Sequence, residues 1–172
     1  MSPGSLTFFL LVALIALKVT GPGLPQSAGQ PIIVPLPLEI SGGAISWDLE
    51  IRTFRLLNEA RESSGLAALA AHSGLREGAR AHALDMLTHG YLSHQSRDGR
   101  SPQRRARGGE VGLPRVLGEN VGYATDVAAA HAAFLSSEVH RRLILSPRVR
   151  VVGIGVAQVR PSGVIVVQDF GR

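Results

Sequence analysis

Residues 149–170 read VRVVGIGVAQVRPSGVIVVQDF, and they are the most regularly patterned part of the chain. Two runs rich in β-branched residues, 149–159 and 164–170, flank the tetrapeptide Arg-Pro-Ser-Gly, a combination typical of a hairpin. Glycine weakens a strand unless another part of the chain packs closely against it. We therefore predict a buried antiparallel hairpin with a helix packed against Gly153 and Gly155.

Helices and one further strand are predicted upstream of this hairpin. Apolar residues recur at steps of three and four from Trp47 to Leu57, which predicts a first helix that begins after Ser46. Similar patterns predict a second helix from near Ser73 to Gly90, a strand over 116–124 and a third helix from Asp126 to about Ser137. This order indicates an α+β fold with helices packed on a small antiparallel sheet.

The N-terminal region has the composition of an export segment followed by a linker. Leu6 to Leu17 form an unbroken apolar run that is too short to span a bilayer and matches the core of a signal peptide. We predict a signal peptide over 1–28, with an uncleaved N-terminal anchor as the alternative. Residues 29–45 are rich in proline and glycine and are predicted to be a linker, so the folded domain is expected over 46–172. Both alternatives place the domain outside the cytoplasm.

The composition excludes several classes of protein. The chain has no cysteine, which excludes disulfides, thiolate zinc sites and cysteine nucleophiles. Its only lysine is Lys18, so a P-loop or Schiff-base enzyme has no lysine available in the domain. Residues 97–115 are rich in arginine and are predicted to form an exposed loop. This loop lacks the aromatics and the groove-sized helix of a nucleic-acid site, so it is predicted to be a solvated loop. Attraction to anionic cell-surface polymers or lipid headgroups, which need only charge, is the alternative.

Three residues from separate segments are candidates for a functional site. His94 and His140 each follow a predicted helix end, and Glu119 lies in a strand flanked by glycines. Two imidazoles and a carboxylate can bind zinc or another divalent cation, or they can transfer protons. A purely structural role stays open on spacing alone. His82, on the apolar face of the second helix, is predicted to be a hydrogen-bonded core residue.

A collinear set of short motifs makes the chain similar to a known family. The domain resembles the CAP domain of cysteine-rich secretory proteins, antigen 5 and pathogenesis-related 1 proteins, also called the SCP domain. The similarity covers about residues 47–172, and the absence of cysteine resembles the bacterial branch. The matching segments are Leu57-Asn58-Glu59-Ala60-Arg61, Ala79-Arg80-Ala81-His82, Gly90-Tyr91-Leu92-Ser93-His94, Gly118-Glu119-Asn120-Val121, Ser137 to Arg141, Val152 to Val156 and Gln168-Asp169-Phe170-Gly171.

The resemblance implies an α-β-α sandwich whose central cleft holds two histidines and two acids. Matched by position, His94, Glu119 and His140 take three of these places. The fourth, normally acidic, falls on Ser137, next to Glu138. The expected metal site is therefore a variant with two histidines and one glutamate, unless Glu138 reaches in from a frayed helix end.

The remaining expectations concern Asn120, which follows Glu119, and the function of the domain. Asn120 is expected to bond the backbone at the junction between strand and loop. The resemblance implies an exported, non-catalytic domain whose cleft binds a divalent cation or a small or lipidic ligand. The alternative is a metal-assisted extracellular hydrolase that uses Glu119 as its base.

Overall fold

The computed structural model describes residues 13–16, 34–36, 43–106 and 114–172. In these ranges the strands are β1 (Ala13–Ala16), β2 (Val34–Pro35), β3 (Gly43–Ile45), β4 (Ala70–Ala71), β5 (Tyr91–Leu92), β6 (Val116–Ala124), β7 (Val151–Val159) and β8 (Val164–Gly171). The helices there are α1 (Trp47–Ser63), α2 (Ser73–His89), α3 (Pro102–Ala106), α4 (Val127–Ser136) and α5 (Glu138–Ile144).

The main sheet has the strand order β1-β6-β8-β7-β3, with antiparallel neighbours, and β4 joins β7 in parallel. The predicted hairpin is confirmed, because β7 and β8 pair from Val151↔Gly171 to Gln158↔Val164. Helix α2 packs on one face of this sheet, where Ala79 and Met86 join the core. Helices α1, α4 and α5 cover the other face around Phe134. The predicted α-β-α sandwich is therefore confirmed.

The helices begin and end where the sequence favours it. Asp48 and Glu50 lie in the first turn of α1 and Arg61 in its last turn, which suits the helix dipole at both ends. Helix α2 ends at Gly90, whose φ of 66° is a left-handed conformation that glycine adopts without strain.

The two glycines of β7 allow the sheet and α2 to approach each other closely, as predicted. A Cβ built on Gly153 would lie 2.1 Å from the carbonyl carbon of Leu75, and one built on Gly155 would lie 2.4 Å from that of Ala79. Both clashes are with helix backbone, which cannot rotate away. The spacing between β7 and α2 therefore depends on these two glycines.

One prediction about local structure is wrong, and one further helix was not predicted. The arginine-rich segment is not simply an exposed loop, because it contains the short helix α3, in which Arg105 is buried. His140 follows the end of α4 at Ser136, as predicted, but it lies within a further short helix, α5, which begins at Glu138. Both helices begin after a serine, and α3 has proline at its first position, which are local signals for a helix start.

The structure describes short parts of the predicted signal segment and of the predicted linker. These parts form strands that pair with strands of the domain. Within the predicted linker, β2 pairs with β5 and β3 pairs with β7, so the sheet begins before residue 46. Within the predicted signal segment, β1 pairs with β6, from Ala13↔Tyr123 to Ala16↔Asn120. The rest of 1–28 and most of 29–45 lie outside the described residues. No helix in the described ranges is long and apolar enough to cross a membrane.

Candidate functional site

The floor of the candidate site is a pair of acids on neighbouring strands. Glu119 on β6 lies directly opposite Asp169 on β8, and both side chains are fully buried. Opposed residues in an antiparallel pair point to the same face of the sheet, so the two carboxyl groups face each other. Such a pair is costly to bury unless a cation or a proton compensates it.

Two groups compensate Glu119. The guanidinium of Arg105, itself almost fully buried, donates a hydrogen bond to Oε2 in a charge-assisted contact. Nδ1 of His94 lies 2.7 Å from Oε1. Since an ionised carboxylate only accepts hydrogen bonds, Nδ1 of His94 is the donor. Both oxygens of Glu119 are therefore engaged within the protein.

Asp169 is compensated by a proton. No N–H or O–H group of the described residues donates to either of its oxygens. Burial, followed by the charge of Glu119, raises the pKa of Asp169 well above its usual range. Burial also raises the pKa of Glu119, to about 7, but Arg105 opposes that rise. We therefore assign the shared proton to Asp169, while Glu119 carries the charge that Arg105 balances.

A hydrogen-bond network ties this pair to the end of α2. The same Arg105 guanidinium donates to the carbonyl oxygen of His94 at 3.0 Å and to Oγ of Ser96 at 3.1 Å. Ser96 in turn lies 3.2 Å from Nδ1 of His82, whose Nε2 donates to the carbonyl oxygen of Ser93 at 2.7 Å. Burial, and then the charge of Arg105, lower the pKa of His82 to about 3. His82 is therefore a neutral core histidine, as predicted, and it supports the segment that carries His94.

The residues on the opposite face of the same two strands are neutral. Asn120 lies opposite Gln168, and its Nδ2 donates to Oε1 of Gln168 at 3.2 Å and to the carbonyl oxygen of His140 at 3.4 Å. Asn120 thus bonds a backbone group, as expected, but it does so from the middle of β6 and not from a junction between strand and loop. Nδ1 of His140 lies 2.7 Å from Oγ of Ser137, and its ring lies 5.2 Å from that of Phe134.

The structure distinguishes the two residues considered for the fourth cleft position. Ser137 is in contact with His140 through its hydroxyl. Glu138 is exposed and forms an ion pair with Arg142 one helical turn along α5. The alternative in which Glu138 reaches into the cleft is therefore not the arrangement found. The second acid of this region is Asp169, which belongs to the acidic pair on the other face of the sheet.

Sequence reasoning missed Arg105, the cation that balances Glu119, and Asp169, the second acid of the pair. Arg105 is one of six arginines in 97–115, and nothing local distinguishes it from its exposed neighbours. Asp169 did carry a signal, because it is an acid inside an apolar run predicted to be a buried strand. An acid in that position requires a cation or a proton nearby.

A metal site with Glu119 as ligand does not fit this geometry. Both oxygens of Glu119 are engaged, and a cation bound there would lie beside the buried guanidinium of Arg105. Among the described residues, no group of three or more His, Asp or Glu side chains is arranged to hold a metal ion. Glu119 is placed instead to orient His94, which is the role that a carboxylate takes behind a ligating histidine.

The comparison with known families identifies the domain. Residues 54–170 match the model of the cysteine-rich secretory protein family, CAP. The chain belongs to the CAP family.

Curated relatives of this CAP domain include two Bacillus subtilis proteins. One is the uncharacterized protein YkwD, which is 32% identical over 123 residues, covering 70% of this chain and 46% of YkwD. The other is the uncharacterized membrane protein YlbC, which is 35% identical over 102 residues, covering 59% of this chain and 29% of YlbC.

Solved structures agree with this assignment. An extracellular protein containing an SCP domain from Bacillus anthracis matches with a TM-score of 0.61 and 27% identity, covering 73% of this chain and 40% of that one. An outer surface protein from Borrelia burgdorferi matches with a TM-score of 0.66 and 18% identity, covering 76% of this chain and 98% of that one, which shows the shared fold. The chain thus spans less than half of the curated relatives and of the Bacillus anthracis protein.

Proposed function

We propose that this CAP protein is an exported, non-catalytic binding domain whose cleft takes a divalent cation or a small ligand through His94 and His140. The observation that carries the proposal is that consecutive residues of β6 hold the two histidines. Glu119 accepts a hydrogen bond from the ring of His94, and Asn120 donates one to the backbone of His140. The two histidines thereby flank one short piece of strand.

The location of the proposed cleft follows from that strand. Side chains of Glu119 and Asn120 point to opposite faces of the sheet, so the histidines approach β6 from its two sides. They can meet only around the outer edge of β6. Among the described residues, β1 pairs along this edge with Asn120 to Tyr123. We place the cleft at the edge next to Glu119.

The hydrogen bond to Glu119 also selects the binding atom of His94. With Nδ1 donating to the carboxylate, a metal or a ligand hydrogen-bond donor would bind Nε2. A zinc ion would have His94 and His140 as its protein ligands and would act there as a bound Lewis acid. Two imidazoles are fewer than the three or four protein ligands of ordinary zinc sites, so we expect weak binding.

The hydrolase alternative is less well supported. A general base must reach the proton that it removes, directly or through one water. Glu119 is fully buried, and its oxygens are held by Arg105 and His94. The carboxylate therefore acts on His94 rather than on a substrate.

Export of the domain is supported by two observations. The apolar run from Leu6 to Leu17 has the length of a signal-peptide core. The Bacillus anthracis relative, 27% identical, is described as an extracellular protein. A cysteine-free domain is suited to that location because it has no thiol to oxidise.

Zinc-dependent thermal melting of the purified chain tests the binding proposal. Zinc is expected to raise the melting temperature at pH 7.5, and the effect should disappear as the pH falls through about 6.5, because protons compete for imidazole. His94→Ala and His140→Ala should each abolish the rise. Glu119→Gln should weaken zinc binding by about 10- to 100-fold, because glutamine still accepts a hydrogen bond but lacks the negative charge that raises the basicity of His94.

His72→Asn is the matched control for unspecific histidine binding. His72 caps α2 by accepting a hydrogen bond from the backbone of Leu75, and asparagine keeps that capacity while removing the imidazole. The zinc response of this variant should equal that of the parent chain. An equal loss in all three histidine variants, or no response to zinc in the parent, contradicts the cation site.

A further inference from the structure

One end of the main sheet carries a row of arginines on three adjacent strands. Arg115 precedes β6, Arg172 follows β8 and Arg150 precedes β7. Arg115 and Arg172 exchange two backbone hydrogen bonds, of 3.1 and 3.2 Å, so they lie directly opposite each other. The backbone N–H of Arg150 donates to the carbonyl oxygen of Gly171 at 2.9 Å.

The three arginines lie at the same end of three adjacent strands. Arg115 and Arg172 are directly opposite each other, and the backbone hydrogen bond from Arg150 to Gly171 holds Arg150 beside Arg172. Opposed residues of antiparallel strands share a face, and neighbouring strands lie about 5 Å apart. We call Arg115, Arg172 and Arg150 the arginine row. It extends about 10 Å across the end of the sheet.

The charge of the arginine row is exposed and unbalanced. All three residues are exposed, as is nearby Arg148. In the described ranges, no ion pair joins any of these four arginines to an acid. A terminal carboxylate at Arg172 would offset one charge and leave the group net positive.

The environment behind the row strengthens its field. The buried guanidinium of Arg61 donates to the carbonyl oxygens of Ile144 and Ser146, at 2.7 and 3.0 Å. Burial, and then the charge of Arg150, lower the pKa of Arg61. The row therefore lies close to a further buried cation, Arg61. Among the described residues, no acid forms an ion pair with Arg61 or with the row.

We propose that the arginine row is a docking site for a linear polymer that carries repeated phosphate groups and no nucleobases. A guanidinium binds phosphate through two parallel N–H groups, and three of them in line present that geometry repeatedly. A linear array of cations matches a linear polyanion better than it matches a compact anion. This site is separate from the histidine cleft and does not depend on the function proposed above.

Two other anionic partners fit the row less well. A surface that binds membranes usually adds exposed tryptophan, phenylalanine or leucine, and nucleic acids need aromatics for base stacking. Exposed large apolar residues of the described chain are Trp47, Leu84 and Val139, which lie on α1, α2 and α5 and not on the strands of the row. The row therefore presents positive charge without an exposed large apolar side chain.

Binding of inorganic polyphosphate to the full chain tests the proposal. Replacing Arg115, Arg150 and Arg172 by glutamine should lower the affinity at low salt by about tenfold or more. The same three positions changed to lysine should keep part of the binding, because lysine retains the charge but lacks the paired N–H groups of a guanidinium. The matched control replaces Arg52, Arg55 and Arg160 by glutamine, because these residues are also exposed and lie elsewhere. In this control variant, the logarithm of the affinity should fall by less than half as much as it falls in the row variant.

Several outcomes would overturn the proposal. An equal loss in the row and control variants means that net charge alone determines binding. A loss of binding to phosphatidylglycerol vesicles without a loss toward polyphosphate identifies a membrane surface instead. Preferential, row-dependent binding of an oligothymidylate identifies a nucleic-acid site. Glutamine and lysine variants that fail equally show that the substitutions damaged the fold and that charge is not the cause.

Discussion

Two neighbouring cross-strand pairs on β6 and β8 offset the cost of burying polar side chains in different ways. Glu119 and Asp169 face α2 as two acids, and they require the cation of Arg105 and a shared proton. Asn120 and Gln168, one residue along, face α5 as two amides that bond each other directly. The charged pair therefore depends on a cation from a distant segment, whereas the amide pair carries no charge to balance and leaves Oδ1 of Asn120 and Nε2 of Gln168 without a hydrogen-bond partner among the described residues. We call these the acidic pair and the amide pair.

The same contrast exists in the packing of the two faces. On the α2 face, a Cβ on Gly155 would collide with helix backbone at 2.4 Å. On the α5 face, a Cβ on Gly118 would lie 2.6 Å from a terminal methyl group of Leu143, which is a flexible side chain. The α2 face thus has less capacity to adjust in its packing as well as in its charges.

Removing the cation from the acidic pair should have the largest effect. Arg105→Met leaves the charge of Glu119 buried without its partner, and we expect the free energy of unfolding to fall by about 3–5 kcal/mol. Gln168→Met on the amide pair leaves only a neutral donor unpaired and should cost about 1–3 kcal/mol. Urea denaturation of both variants measures the difference. Equal losses would show that the acidic pair does not depend on Arg105 more than the amide pair depends on its partner.

Overpacking the α2 face should have the next largest effect. Gly155→Val forces Ala79 and the rest of α2 away from β7, and we expect a loss of about 3 kcal/mol. Gly118→Ala should cost about 1 kcal/mol, because Leu143 can change its rotamer. The melting temperatures of the two variants, measured beside the parent, check this ranking. A Gly155→Val protein that melts with the parent would refute the close approach of α2.

The shared proton of the acidic pair predicts a dependence on pH. Asp169 has a raised pKa in the fold, so the folded protein holds a proton that the unfolded chain releases above about pH 4. Its contribution to stability is therefore present at low pH and is lost as the pH rises toward its folded value. Asp169→Asn mimics the protonated acid permanently and removes this loss.

Stability measured for the parent and Asp169→Asn between pH 4 and 8 tests that sign. As the pH rises, the free energy of unfolding of the variant should increase relative to that of the parent, by no more than about 1.4 kcal/mol per pH unit. His82, whose pKa is lowered to about 3, destabilises both proteins as the pH falls below 6.5, so its effect cancels in the difference. A difference that stays constant over this range would mean that Asp169 is ionised in the fold.

The smallest effect is expected at the acid that lies outside both pairs. Glu138 forms an exposed ion pair with Arg142, and such pairs contribute at most about 0.5 kcal/mol. Glu138→Ala should therefore leave the stability and the NMR titration of His140 unchanged. A shifted titration of His140 would place Glu138 in the cleft after all.

Local patterns were sufficient for much of the fold. The hairpin of β7 and β8, the glycine contacts with α2 and the end of α2 at Gly90 were all predicted and are confirmed. Each of these depends on residues close together in the chain, or on a glycine whose missing side chain has one physical meaning. Part of the site was also within reach, because His94 and Glu119 are hydrogen-bonded to each other.

The sequence by itself thus determined the hairpin and the helices packed on a small sheet, since strand alternation, helix periodicity and glycine positions are properties of short segments. The α-β-α layers and the family were predicted from the resemblance of its collinear motifs to the CAP domain. Only the tertiary structure decided that Arg105 is buried against Glu119, that Asp169 completes an acidic pair and that three arginines share one row. Each of these relations joins segments far apart in the chain, and the energy of a buried charge depends on every group around it. No local pattern contains that information.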